Sequence, residues 1–178
     1  ASAKGLLAAL AQQKEKTGYR ITLDAPSYLA IMTHAEDRDL REAVYTAYVT
    51  RASDQGPQAG QFDNSVRMLE ILRNRQDMAD LLGYANYAEV SLVPKMAQSP
   101  EHVIEFLEDL ARRARPYAEK DLAELRTFAR DNLGIEQLEA WDVAYASEKL
   151  QEARYAFSAQ EVKEYFPEPK VVSGLFKL

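Results

Sequence analysis

The pattern of apolar and polar positions along this chain is mostly that of helices. Val103, Phe106, Leu107 and Leu110 recur at i, i+3, i+4 and i+7, the spacing that lines one face of a helix. Ser99 stands before that run as an N-cap, with Pro100 at the first helical position and Glu101 in the first turn. Pro116 should kink or break this helix, because proline removes a backbone donor and crowds the preceding turn. The pattern resumes through Leu122, Leu125 and Phe128 and ends near Gly134.

Further helices follow from the same logic. Residues 4–17 read as a helix that Gly18 terminates. PSYLAIMTHA, from Pro26, is a short apolar segment. Residues 37–53 open with acids and close with Arg51, the order the helix dipole favours. SDQGPQAGQ (53–61) reads as a loop. A helix over 63–82 takes Asp63 or Asn64 as N-cap, Val66, Leu69, Leu72, Met78, Leu81 and Leu82 as its apolar face, and Gly83 as its C′ residue. Another runs from about Leu138 to Ala156, and SAQE (158–161) is a capping box. The best strand candidate is YRITLD (19–24), where β-branched and aromatic residues alternate. The expectation is a mainly all-α fold, a bundle of long amphipathic helices with at most a minor strand near 19–24, forming a single helical region over 1–178.

Composition narrows the function. With 47% hydrophobic residues among 178, a real core is available. The net charge of −6 and the lack of a basic tract argue against a nucleic-acid partner. No apolar run approaches the roughly 20 residues of a membrane-spanning helix, so no membrane partner is expected. Cysteine is absent, which removes disulfides, thiolate metal sites and a cysteine nucleophile and fits a reducing compartment.

Candidate chemistry is sparse. His34 lies beside Glu36, Asp37 and Asp39, a conceivable hard-cation site, but acids at a helix start are favoured without a metal. His102 sits in a first helical turn with no second His at the i+4 spacing of a zinc helix. GPQAG (56–60) lacks the length and the Lys of a phosphate loop. Trp141, Tyr145 and Tyr155 would line either a groove or a core. From these residues alone the chain is a helical domain without a catalytic constellation, and no catalytic, metal or substrate-binding residue is assigned.

Several longer stretches nevertheless carry a resemblance. ASDQGP, FDNS, LLGYANYAEVSL, KMA, RARP, WDVAY, YFP and SGLF occur in one order over residues 4–178. Together they resemble the thimet-oligopeptidase-like zinc metallopeptidases. One departure is Ala146, where a second aromatic would be expected after Tyr145. The resemblance implies a mostly helical enzyme that hydrolyses short peptides in the cytoplasm. It also implies one zinc ion on an H-E-x-x-H helix, whose Glu serves as general base. This chain contains no H-E-x-x-H; in the family that motif follows the YFP and SGLF segment. The chain begins at Ala1 without Met and closes on the apolar VVSGLFKL. It is therefore expected to be a non-catalytic helical portion upstream of the zinc helix. No zinc should bind to it, and the missing catalytic half would be its partner. The alternative is a free-standing helical module that binds a peptide or a partner helix in a groove.

Overall fold

The computed structural model describes residues 3–155, 162 and 165–177. Among these residues there are eight helices and no strand: α1 (Ala3–Gln12), α2 (Ala25–His34), α3 (Arg38–Val49), α4 (Ser65–Leu81), α5 (Tyr87–Leu92), α6 (Pro100–Leu133), α7 (Val143–Tyr155) and α8 (Glu168–Leu175). The all-α expectation holds. The capping box at 158–161 lies outside the described residues.

The chain divides into two compact units, residues 1–49 with 124–178, and residues 50–123. In the first, α2 packs against α1, α3 and α7. Leu7, Ile31, Met32 and Val44 form its buried core, with Tyr28, Leu40, Tyr45 and Trp141 packed around them. Complete burial of each such aliphatic side chain is worth about 1.5–3 kcal/mol. A second cluster joins Leu125 and Ala129 of α6 to Ala146 of α7, bordered by Leu133, Ile135, Leu138 and Leu150. Ala129 and Ala146 are completely enclosed, so the position where the family resemblance suggests an aromatic ring has only a methyl group's room.

The second unit opens with a glycine-bearing loop. The Gly60 amide donates to the Ser53 carbonyl and the Asn64 amide to the Ala52 carbonyl, which closes the loop on itself. Gly56 has φ +79°, and a Cβ there would fall 2.0 Å from Thr50 Oγ1; only glycine fits. α4 then starts under Asp63, whose Oδ1 accepts from the Ser65 amide at 2.9 Å and the Ser65 hydroxyl at 2.7 Å. It ends as its sequence indicates. Gly83 takes φ +77°, the Gly83 amide donates to Asp80 O and the Tyr84 amide to Ala79 O, which is the Schellman pattern. α4 packs against α5.

Five expectations need correction. YRITLD forms no strand. The Arg20 amide donates to Leu7 O and the Thr22 amide to Ser27 Oγ at 2.9 Å, so α1 and the start of α2 satisfy the backbone groups a neighbouring strand would have taken. α1 stops at Gln12 rather than running to Thr17, and Gly18 is not its terminator. Glu15 adopts φ +55°, with the Glu15 amide on Gln12 O and the Lys16 amide on Ala11 O. α3 ends at Val49, so Arg51 lies beyond it. α6 is not broken at Pro116 and continues through it for 34 residues. The flanking Arg112, Arg113, Arg115 and Tyr117 are exposed, so water can reach the carbonyl that proline leaves without a donor, and the neighbouring sequence is rich in strong helix formers. α7 begins at Val143, five residues late, because 139–142 form a turn in which the Asp142 amide donates to Glu139 O.

Two substitutions probe this packing. Glu15→Gly should raise stability by about 1 kcal/mol, the approximate cost of a left-handed conformation for a residue with a Cβ, as read by urea denaturation. Ala146→Phe should lower it by about 1–3 kcal/mol through overpacking; an unchanged midpoint would show that the Leu125–Ala129–Ala146 cluster yields more easily than its burial implies.

Candidate functional site

The densest chemistry in the chain surrounds Asp142. This carboxylate is fully buried, and so is Arg41. Arg41 Nη2 donates to Asp142 Oδ1 at 2.7 Å, while Nη1 donates to the Ala35 and Glu36 carbonyls at 2.7 and 3.1 Å. Arg38, one turn earlier on α3, donates from Nε to both carboxylate oxygens at 3.1 Å. Its Nη2 donates to Asp142 Oδ2 at 2.8 Å and to Gln137 O at 3.1 Å. The Glu139 amide completes the set on Oδ2 at 3.1 Å. Asp142 thus sits at the entry to α7 and binds the first turns of α3 to it.

Aromatic rings frame the cluster. Arg41 lies 4.3 Å over the Tyr145 ring, with Lys149 5.8 Å from it. Arg38 is 6.0 Å from the Trp141 ring, which meets Tyr45 at 5.8 Å. Trp141 and Tyr145 are therefore packing residues, whereas Tyr155 is mostly exposed. Burial pushes the Asp142 carboxyl up, but the hydrogen bonds from Arg38, Arg41 and Glu139, with the Arg38 charge, hold it below its ordinary value. A carboxylate so fully engaged by donors is a poor proton acceptor at neutral pH, so its chemistry is structural.

Each unit also carries a cleft. In the first unit a cleft of about 250 Å³ is lined in part by Leu7, Tyr19, Ile21, Ile31, His34 and Leu40. It is apolar, and His34 is there as a lining residue at the end of α2 rather than as a member of an acidic cluster. In the second unit a cleft of about 420 Å³ lies at the start of α6, lined in part by Tyr84, Glu89, Lys95, Ser99 and Glu101. Four of its polar groups already have partners. Ser99 Oγ accepts from the His102 amide at 3.2 Å. The Glu101 carboxyl is held below its ordinary value by its own backbone amide and by Ser99. Glu89 accepts from the Ala85 amide, and Lys95 Nζ donates to Ser91 Oγ at 2.7 Å. The helix terminus is thus occupied by its own carboxylate.

No three His, Asp or Glu side chains converge as a metal site among the described residues. His34, Glu36, Asp37 and Asp39 are not brought together: Asp37 Oδ1 caps α3 through the Leu40 amide at 3.0 Å. His102 lies exposed in the first turn of α6. The described residues do not fit a zinc ion, and no catalytic step is assigned to them. What residue-by-residue reading missed is Arg41, which sits on the buried face of α3 beside Val44.

Similarity to known proteins points one way. A model of peptidase family M3 matches residues 31–178. Oligopeptidase A of Salmonella typhimurium and that of Escherichia coli are each 52% identical over 177 residues, covering 99% of this chain and 26% of the relative. A probable thimet oligopeptidase of Arabidopsis thaliana is 26% identical over 177 residues, covering 98% of this chain and 24% of the relative. The chain spans about a quarter of the length of these relatives.

Removing Asp142 strands Arg41 in the interior. Asp142→Ala should cost about 3–5 kcal/mol, as for other broken buried pairs, whereas Arg38→Ala, at a side chain 45% exposed, should cost about 1 kcal/mol or less. The single tryptophan, Trp141, reports both by fluorescence during urea unfolding. The sign of the pH effect follows from the depressed carboxyl. Its contribution is complete above the unfolded-state value near 3.9 and is lost as pH falls through the lower folded-state value. Asp142→Asn should therefore flatten the acid limb of the stability curve.

Proposed function

The chain belongs to peptidase family M3, and we propose that it is the non-catalytic helical portion of a zinc-dependent oligopeptidase that hydrolyses short peptides. The observation that carries this reading is the 52% identity to oligopeptidase A along nearly the whole chain. The chemistry of the chain supports the non-catalytic part: the sequence has no H-E-x-x-H, and the buried ionic cluster around Asp142 is tied up in joining α3 to α7. In this reading residues 1–178 act as one helical region of a larger cytoplasmic peptidase, and both the zinc ligands and the general base belong to further chain. None of the described helices is long and apolar enough to cross a membrane.

The side chains here contribute position rather than reaction. Asp142, Arg38 and Arg41 fix the angle at which α7 leaves the turn at 139–142, and the Leu125–Ala129–Ala146 cluster sets the spacing of α6 and α7. Zinc, when bound to the longer enzyme, would activate a water for attack on the peptide carbonyl.

A longer polypeptide carrying these residues should hydrolyse a quenched-fluorescent peptide, and a zinc chelator should abolish the turnover. The 178-residue chain alone should show no chelator-sensitive turnover. Chelator-sensitive hydrolysis that co-elutes with the 178-residue chain would overturn the assignment.

A further inference from the structure

The unit formed by residues 50–123 has almost no interior of its own. Ala79 is its one buried residue among those described, and an alanine methyl cannot anchor a unit of that length. Its apolar side chains are plentiful but face outward. Met68, Ile71, Leu72 and Met78 of α4 and Leu82 at its C-cap are each between 48 and 59% exposed. Their spacing places all five along one side of the helix, in the i, i+3, i+4 register of a packing stripe. Arg75 falls within the stripe, but its guanidinium lies 4.9 Å over the Tyr87 ring.

We propose that this stripe of α4 is an intramolecular packing face, covered in the longer polypeptide by an apolar helix from chain outside these 178 residues. This rests on the peptidase reading above. Three observations select that occupant. The relatives hold about three-quarters of their length outside the matched part, so covering chain is available. Covalent attachment gives it a high effective concentration, which a second copy in dilute solution lacks. A surface that holds a peptide substrate needs groups that bond the peptide backbone, and the stripe's five aliphatic and thioether side chains offer none.

Hydrogen exchange separates the possibilities. Amides of residues 65–82 should be protected at least about tenfold more in the longer polypeptide than in the 178-residue chain. Equal protection in both would overturn the proposal, as would protection in the 178-residue chain that rises with its concentration to the level of the longer one, which would indicate a second copy. Leu72→Asp in the longer polypeptide should lower its melting temperature and leave the KM of the remaining folded enzyme unchanged. A raised KM with an unchanged melting temperature would mark a peptide-binding surface and sink the idea. The exchange measurement does not depend on turnover, so a longer polypeptide without peptidase activity would count against the functional reading while leaving this one to be judged on protection.

Discussion

The first unit depends on a carboxylate that has no access to water. Asp142 and Arg41 are both buried, and transferring either charge alone from water would cost several kcal/mol. The pair is tolerable because most of its polar atoms are partnered: two arginines and the Glu139 amide donate to the carboxylate, and the Ala35 and Glu36 carbonyls accept from Arg41, whose buried Nε is left without a partner. That requirement has geometric consequences. The 139–142 turn must present the carboxylate inward, α3 must begin close enough for Arg38 and Arg41 to reach it, and the Ala35–Glu36 linker must expose its carbonyls to Arg41. A hydrophobic substitute of similar volume would hold the same space without fixing these directions, so the ionic cluster specifies an arrangement more than it adds stability.

The two units contrast in how they use apolar residues. The first closes Leu7, Ile31, Met32 and Val44 into a core and adds the Leu125–Ala129–Ala146 contact. The second orders its backbone by local devices: the Gly56 loop, the Asp63 cap, the Gly83 terminator and the Ser99 cap. Local devices define where helices start and stop but bury little apolar area, and burial of apolar area is what chiefly drives folding.

Much of the fold was legible in the sequence because caps and helical periods are local. Ser99–Pro100, Gly83 and the 53–61 loop all stand where their residue types indicate. The failures share a cause, which is that a neighbour decided the outcome. YRITLD alternates like a strand, yet α1 and Ser27 take its backbone groups. Gly18 has the freedom to end a helix, but Glu15 turns first. Leu138 fits a helical stripe, but Asp142 is needed in a turn. The candidate site was less legible still. Arg41 reads as part of a charged, solvated helix, and only its register with Val44 and Tyr48 signals an inward face. The family resemblance is carried by conjunctions of short motifs, and none of those motifs discloses that Asp142 of WDVAY is the centre of an ion cluster.

Under the proposed reading labour is divided, with positioning done by these residues and metal chemistry done by further chain. The most direct test is the zinc content of the purified 178-residue chain after equilibration with excess zinc and removal of free metal. Far less than one ion per chain is expected. One tightly held zinc per chain, retained through gel filtration and coordinated by its histidines, would contradict that division.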